Sequence, residues 1–123
     1  MLTTSKEGVR GSLMRIVILV TVKDKKEASK IGQGLLNAKL IACANIVGGI
    51  QSLFWWQGKI DSSKEVLLIL KTKKILFKKI VSKVKALHSY QTPEIIALPI
   101  VDGSEDYLNW IDSSVMASLP QRP

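Results

Sequence analysis

Cysteine and histidine are almost missing from this 123-residue sequence, with Cys43 and His88 the sole example of each. A lone thiol excludes an internal disulfide framework and suits a reducing compartment, hence a cytoplasmic setting. With one imidazole no Cys–His spacing motif forms, and there is neither a G-x-S-x-G elbow nor a phosphate-binding glycine loop. The chain therefore reads as a binding protein and not an enzyme. Long apolar runs are absent too. The short one at 14–22 falls below the roughly 18–20 residues of a membrane span, and no secretory cleavage pattern follows it. No membrane insertion is expected. Acidic residues are scarce, 10 against 18 Lys and Arg, for a formal net charge of +8 and a pI ≈ 9.8. Such a balance attracts anions, nucleic acid or membrane surfaces, and it bears on association and not on fold.

What the sequence does have is two long extended runs, IACANIVGGIQSLFWW and KIDSSKEVLLILKT, meeting at Gln57-Gly58. Glycine at the second central position supplies the positive φ of a two-residue hairpin turn. A turn there leaves the arms nearly equal, whereas the rival at 61–63 leaves Trp55 and Trp56 in mid-strand. An arm of about fifteen residues extends to about 50 Å, against about five or six residues for a usual strand. Even broken at Gly48-Gly49, the hairpin should project beyond a small domain. Its tip carries Phe54, Trp55 and Trp56, so something must receive it.

The first fourteen residues lack periodicity and read as a flexible tail, with Met14 a second possible translation start. Lys6, Arg10 and Arg15 among Ser and Thr give an organelle-targeting reading as a minor alternative. A domain follows at 15–117, and 118–123 is a C-terminal tail. Within the domain, residues 15–22 are a β-branched strand. Asp24 with Glu27 resembles a capping box opening a helix with Ala28, Ile31 and Leu35 on one side. After the hairpin, Thr72 or Lys73 leads into a helix striped by Leu76, Ile80, Val84 and Leu87. Pro93 ends a loop at 88–93, and residues 94–101 form a fourth strand in which Pro99 demands an edge or a bulge. Gly103-Ser104 opens a last helix with Tyr107, Leu108, Ile111 and Val115 apolar.

The order βαββαβα predicts an α+β fold, a ferredoxin-like split βαβ sandwich with a long β-hairpin and a C-terminal helix. Its sheet should alternate apolar and polar, yet Val17, Leu19, Leu67, Ile69, Ile96 and Leu98 make the second face apolar as well. Four strands spaced ~4.8 Å apart are too wide for one ~10 Å helix to cover, so another copy must bury that face. Those aliphatic strands lack the exposed aromatics of RNA-recognition sheets. The Lys-rich helix after the hairpin therefore reads as a solvated face, and no nucleic-acid partner is expected.

IACANI at 41–46, SLFWWQGKI at 52–60, EVLLILKT at 65–72, HSYQTPEIIALPI at 88–100 and YLNWI at 107–111 together resemble the CutA divalent-cation tolerance proteins, trimers with a fold related to the PII signalling proteins. The resemblance covers about 16–115. It implies a homotrimer with three sheets facing inward and hairpins engaging neighbours, and a role in metal homeostasis through weak binding of copper- or zinc-class ions. Phe54 stands where the family commonly has Tyr, and Ser89 where it has Pro. Thr21-Val22 occupy the place where some members carry an additional Cys.

On this reading the metal candidates are His88, Cys43 and Glu94, with no obligatory cofactor and copper or another divalent ion as the ligand. Each has a structural reading beside it. Cys43 in an apolar strand is a small core residue, and His88 ends a helix where a cation suits the dipole. Trp56, Lys71, Tyr90, Glu94 and Tyr107 are the candidates for an intersubunit pocket, because isolated charges beside apolar strands are expensive. The alternative function is a PII-like sensor or scaffold taking a small anion or a partner protein in intersubunit clefts.

Overall fold

The computed structural model describes residues 14–116, so 1–13 and 117–123, with nearly all of the expected N-terminal tail and the whole C-terminal tail at 118–123, lie outside it. Its elements are β1 (Arg15–Val22), α1 (Lys25–Asn37), β2 (Cys43–Trp56), β3 (Lys59–Lys73), α2 (Phe77–Leu87), β4 (Ile95–Pro99) and α3 (Glu105–Ser114). A 3-10 turn at Lys74–Leu76 leads into α2, one step later than the expected helix start. The strands form one antiparallel sheet in the order β2-β3-β1-β4, the ferredoxin-like arrangement predicted above.

Local chemistry fixes the boundaries. Asp24 caps α1 by accepting the Glu27 N–H at 2.8 Å, and Glu27 accepts in return from Lys23 N–H at 3.3 Å. That is a capping box with its return bond displaced by one residue. β4 is shorter than the 94–101 expected; Pro99 lies on an edge strand as proline requires, and beyond it the Ile100 N–H still donates to the Arg15 carbonyl at 3.0 Å. β2 opens at Cys43 and not Ile41. Ile41 and Ala42 are instead buried in the turn after α1, where Thr72 donates to the Leu40 carbonyl at 2.6 Å.

Ile16, Ile18, Val20 and Val22 of β1 and Val66, Leu68 and Leu70 of β3 point under the helices. They pack with Ile31 and Leu35 of α1, Ile80 and Val84 of α2, and Ile111 and Val115. Arg15 ties β1 to α3, donating to both Asp112 oxygens at 2.9 and 2.5 Å. The opposite sheet face is a grid of Cys43, Lys71, Val17 and Leu98 in one row and Asn45, Ile69, Leu19 and Ile96 in the next. Among the described residues nothing covers it: Ile96 and Leu98 are 48% and 49% exposed.

The hairpin turns at Gln57 (φ 50°) and Gly58 (φ 78°), both left-handed, as a type I′ turn requires. A bulge interrupts pairing between Val47↔Leu67 and Ile50↔Glu65, so Gly48 and Gly49 together oppose Val66. This changes the parity of β2. Before the bulge Cys43, Asn45 and Val47 share the open face; beyond it Ile50, Ser52, Phe54 and Trp56 do, opposite Glu65, Ser63, Asp61 and Lys59. Trp55 and Ile60 project from the other side and are 74% and 69% exposed.

Candidate functional site

Where the open face runs out along the hairpin, it meets the loop between α2 and β4 and forms a groove of about 790 Å³. Phe54, Trp56 and Tyr90 give it aromatic walls, and Asp61, Glu65 and Glu94 give it carboxylates; no Lys or Arg lines it. Three of the five residues expected in a pocket, Trp56, Tyr90 and Glu94, thus lie together. Lys71 does not join them. It sits on the open sheet face hydrogen-bonded to Asn45 Oδ1. Tyr107 is on α3, its ring 5.4 Å from that of Trp110.

The loop is held by a buried network. Glu27 Oε2 accepts the Ser89 N–H at 2.9 Å. His88 Nδ1 accepts the Tyr90 N–H at 3.0 Å, and its Nε2 therefore carries the proton donated to the Thr21 carbonyl at 2.8 Å. The Tyr90 hydroxyl then donates to Glu65 Oε2 at 2.9 Å. Burial pushes the Glu27 carboxyl up, but hydrogen bonds from Ser89 and Lys23, with His88 alongside, outweigh it and hold the carboxyl below its ordinary value. Burial together with the bond to Glu65 pushes the Tyr90 phenol up to about 12.

The Tyr90 shift carries a sign. A raised acid contributes stability in full below its unfolded value of about 10, and the contribution is lost as pH rises through the folded value. Ultraviolet titration should show one phenolate appearing near pH 12, and Tyr90→Phe should delete that step alone.

The expected metal ligands do not meet within one chain. Both His88 nitrogens are occupied by backbone groups, and its side chain is fully buried. Cys43 is half-buried on the open face and not in the core, with Sγ 3.6 Å from Asn45 Oδ1. Glu94 opens onto the groove. Among the described residues no three His, Cys, Asp or Glu side chains are grouped to hold a metal ion. A tight single-chain centre does not fit these residues.

Sequence reasoning missed Glu65 and the second task of Glu27. Glu65 begins an apolar run, so the cost argument that singled out Glu94 and Lys71 applies to it equally. Glu27 carried only its capping signal, since its bond to Ser89 spans 62 residues.

Fold and site together define a small α+β chain whose uncovered sheet face leads into an aromatic, acidic groove. A sequence model of the family described as CutA1 divalent ion tolerance protein matches residues 16–114. The chain belongs to that family. It is 41% identical over 112 residues to Protein CutA 1, chloroplastic, of Oryza sativa, covering 91% of this chain and 63% of the relative. With the chloroplastic CutA of Arabidopsis thaliana it shares 44% identity over 80% of this chain and 54% of the relative. The chain thus spans less than two thirds of these plant relatives' length. It covers 95% of the Thermus thermophilus divalent-cation tolerance protein CutA, at 44% identity over 80% of its own length. The crystal structure of CutA1 from Oryza sativa superposes with a TM-score of 0.84 at 42% identity, covering 88% of this chain and 99% of that one. The structure described as the periplasmic divalent cation tolerance protein CutA from Archaeoglobus fulgidus gives 0.81 at 44% identity, covering 84% and 100%.

Proposed function

We propose that this protein acts in divalent-cation tolerance as a homotrimer that binds copper- or zinc-class ions weakly, without catalysing a reaction. The observation that carries the binding role is the groove's lining, where Asp61, Glu65 and Glu94 stand apart with no cationic side chain among the described residues, which suits loose contact with an ion and not a closed ligand set. Oxygen donors on an open groove suit exchangeable divalent ions, whereas a thiolate would favour Cu(I). The relatives' names supply the tolerance role, and the open apolar face supplies the reason to assemble. We keep the cytoplasmic setting suggested by the lone thiol; the rice and Arabidopsis relatives are named chloroplastic, and that of Archaeoglobus periplasmic.

Titration calorimetry with copper and zinc tests this reading. Glu94→Gln should weaken both ions several-fold, while Cys43→Ser should leave zinc unchanged. His88→Ala should lower thermal stability before it alters affinity, because the imidazole is committed to Thr21 and Tyr90. Unaltered affinity in Glu94→Gln would place metal recognition outside the groove. A PII-like sensor of small anions is the second reading. On that reading the anion would meet, in place of the acidic groove, the hollow of about 550 Å³ at the start of α1, where Lys23, Lys25 and Lys64 stand with Asp24 and Glu65. Saturable phosphate binding, with no response to either metal, would favour it.

A further inference from the structure

The lysines of this chain are concentrated on two neighbouring helices. Three carboxylates line the groove, and Asp102, Glu105, Asp106 and Asp112 lie just before or within α3, while the outer sides of α1 and α2 carry Lys26, Lys30, Lys78, Lys79, Lys83 and Lys85, all exposed. The one carboxylate within either helix, Glu27, is buried beneath them. Among the described residues no lysine of this face pairs with a carboxylate. The two helices are neighbours: Lys83 Cε lies 3.9 Å, and Leu87 Cδ1 3.0 Å, from where a Cβ on Gly34 would stand. The lysines therefore form two adjoining tracks, with axes roughly 8–10 Å apart at usual helix packing, and not a single line. The sheet lies behind these helices, so the face stays open when the other side of the sheet is covered.

We propose that this face docks the protein onto an anionic membrane surface. Unpaired positive charge spread in two dimensions complements a plane of acidic headgroups, where each lysine attracts independently and no fixed register is needed. A protein partner would instead call for buried aromatic or arginine anchors, and α1 and α2 present neither. Nucleic acid is less well matched, because the helices carry no Arg for forked phosphate or base contacts and no exposed aromatic for stacking.

The test is sedimentation of the full chain with vesicles of phosphatidylcholine, with and without phosphatidylserine. Binding should require phosphatidylserine and fall steeply as salt shortens the screening length. At about 1 kcal/mol per lysine, Lys79→Gln/Lys83→Gln should weaken binding roughly 30-fold. The same charge change outside the two helices, in the turn after α1 and on the hairpin, Lys39→Gln/Lys59→Gln, should leave it nearly unchanged. Equal loss in both double variants would reduce the effect to net charge and overturn the assignment. So would binding to neutral vesicles, or duplex DNA displacing the protein from vesicles at matched phosphate concentration. Because all four lysines are exposed, unchanged circular dichroism in both variants separates loss of binding from loss of fold.

Discussion

Ile69→Asp should convert the proposed homotrimer into folded single chains. Ile69 sits at the middle of the open face, between Leu19 of β1 and Asn45 of β2. In one chain it is only half-buried, so a carboxylate there stays hydrated and the core behind the sheet is untouched. In a trimer with sheets facing inward, the same carboxylate is sealed three times around one axis. Each uncompensated buried charge costs roughly 3–5 kcal/mol, enough to reverse association at micromolar concentration. Light scattering should give three times the 13.6 kDa chain mass for the wild type and a single chain mass for the variant. A variant that remained trimeric would mean that this face is not the interface.

Glu27→Ala should be the most damaging change outside the hydrophobic core. The Ser89 and Lys23 N–H groups lose a charged acceptor in a nearly closed space, at a cost of roughly 2–4 kcal/mol. The loop at 88–92 should then exchange its amide protons faster, and Tyr90 should loosen from Glu65. Glu27→Gln keeps the shape and one acceptor, so it should recover part of the loss. The pH dependence follows the depressed carboxyl. Its contribution is fully present above the ordinary Glu value of about 4.3 and is lost as pH falls through the lower folded value. Denaturant midpoints measured from neutral to acid pH should fall for the wild type and flatten for Glu27→Gln. Parallel curves would mean that the carboxyl does not titrate with folding.

The fold was legible because its signals are periodic or local. β-branched runs, the Asp24 cap, the Gln57-Gly58 turn and Pro99 each specify their own neighbourhood, and apolar residues on both sides of β1 and β3 revealed the uncovered face. The site was only partly legible because its bonds join distant segments. Nothing at His88 announces that both nitrogens are taken by Thr21 and Tyr90, one of them 67 residues away. Lys71 and Glu94 raised the same suspicion as charges beside apolar strands. The strand register then placed Lys71 beside Asn45, while the groove took Glu94 and Glu65. Cys43 was misjudged because an apolar strand with two hidden sides cannot say which of them a given residue occupies.

The glycine bulge restricts how this hairpin can evolve. Because Gly48 and Gly49 together answer to Val66, the outer arm of β2 is out of phase with the inner one, while the pairing of Phe54 and Trp56 with Asp61 and Lys59 of β3 keeps them on the groove side and Trp55 away from it. Deleting one glycine would only restore regular pairing, whereas inserting one residue into each strand between the bulge and the tip would turn the outer arm over and exchange the two tryptophans. The arm's length is therefore free to drift only by two residues per strand at a time, so that any lineage lengthening or shortening it must move by whole pleats.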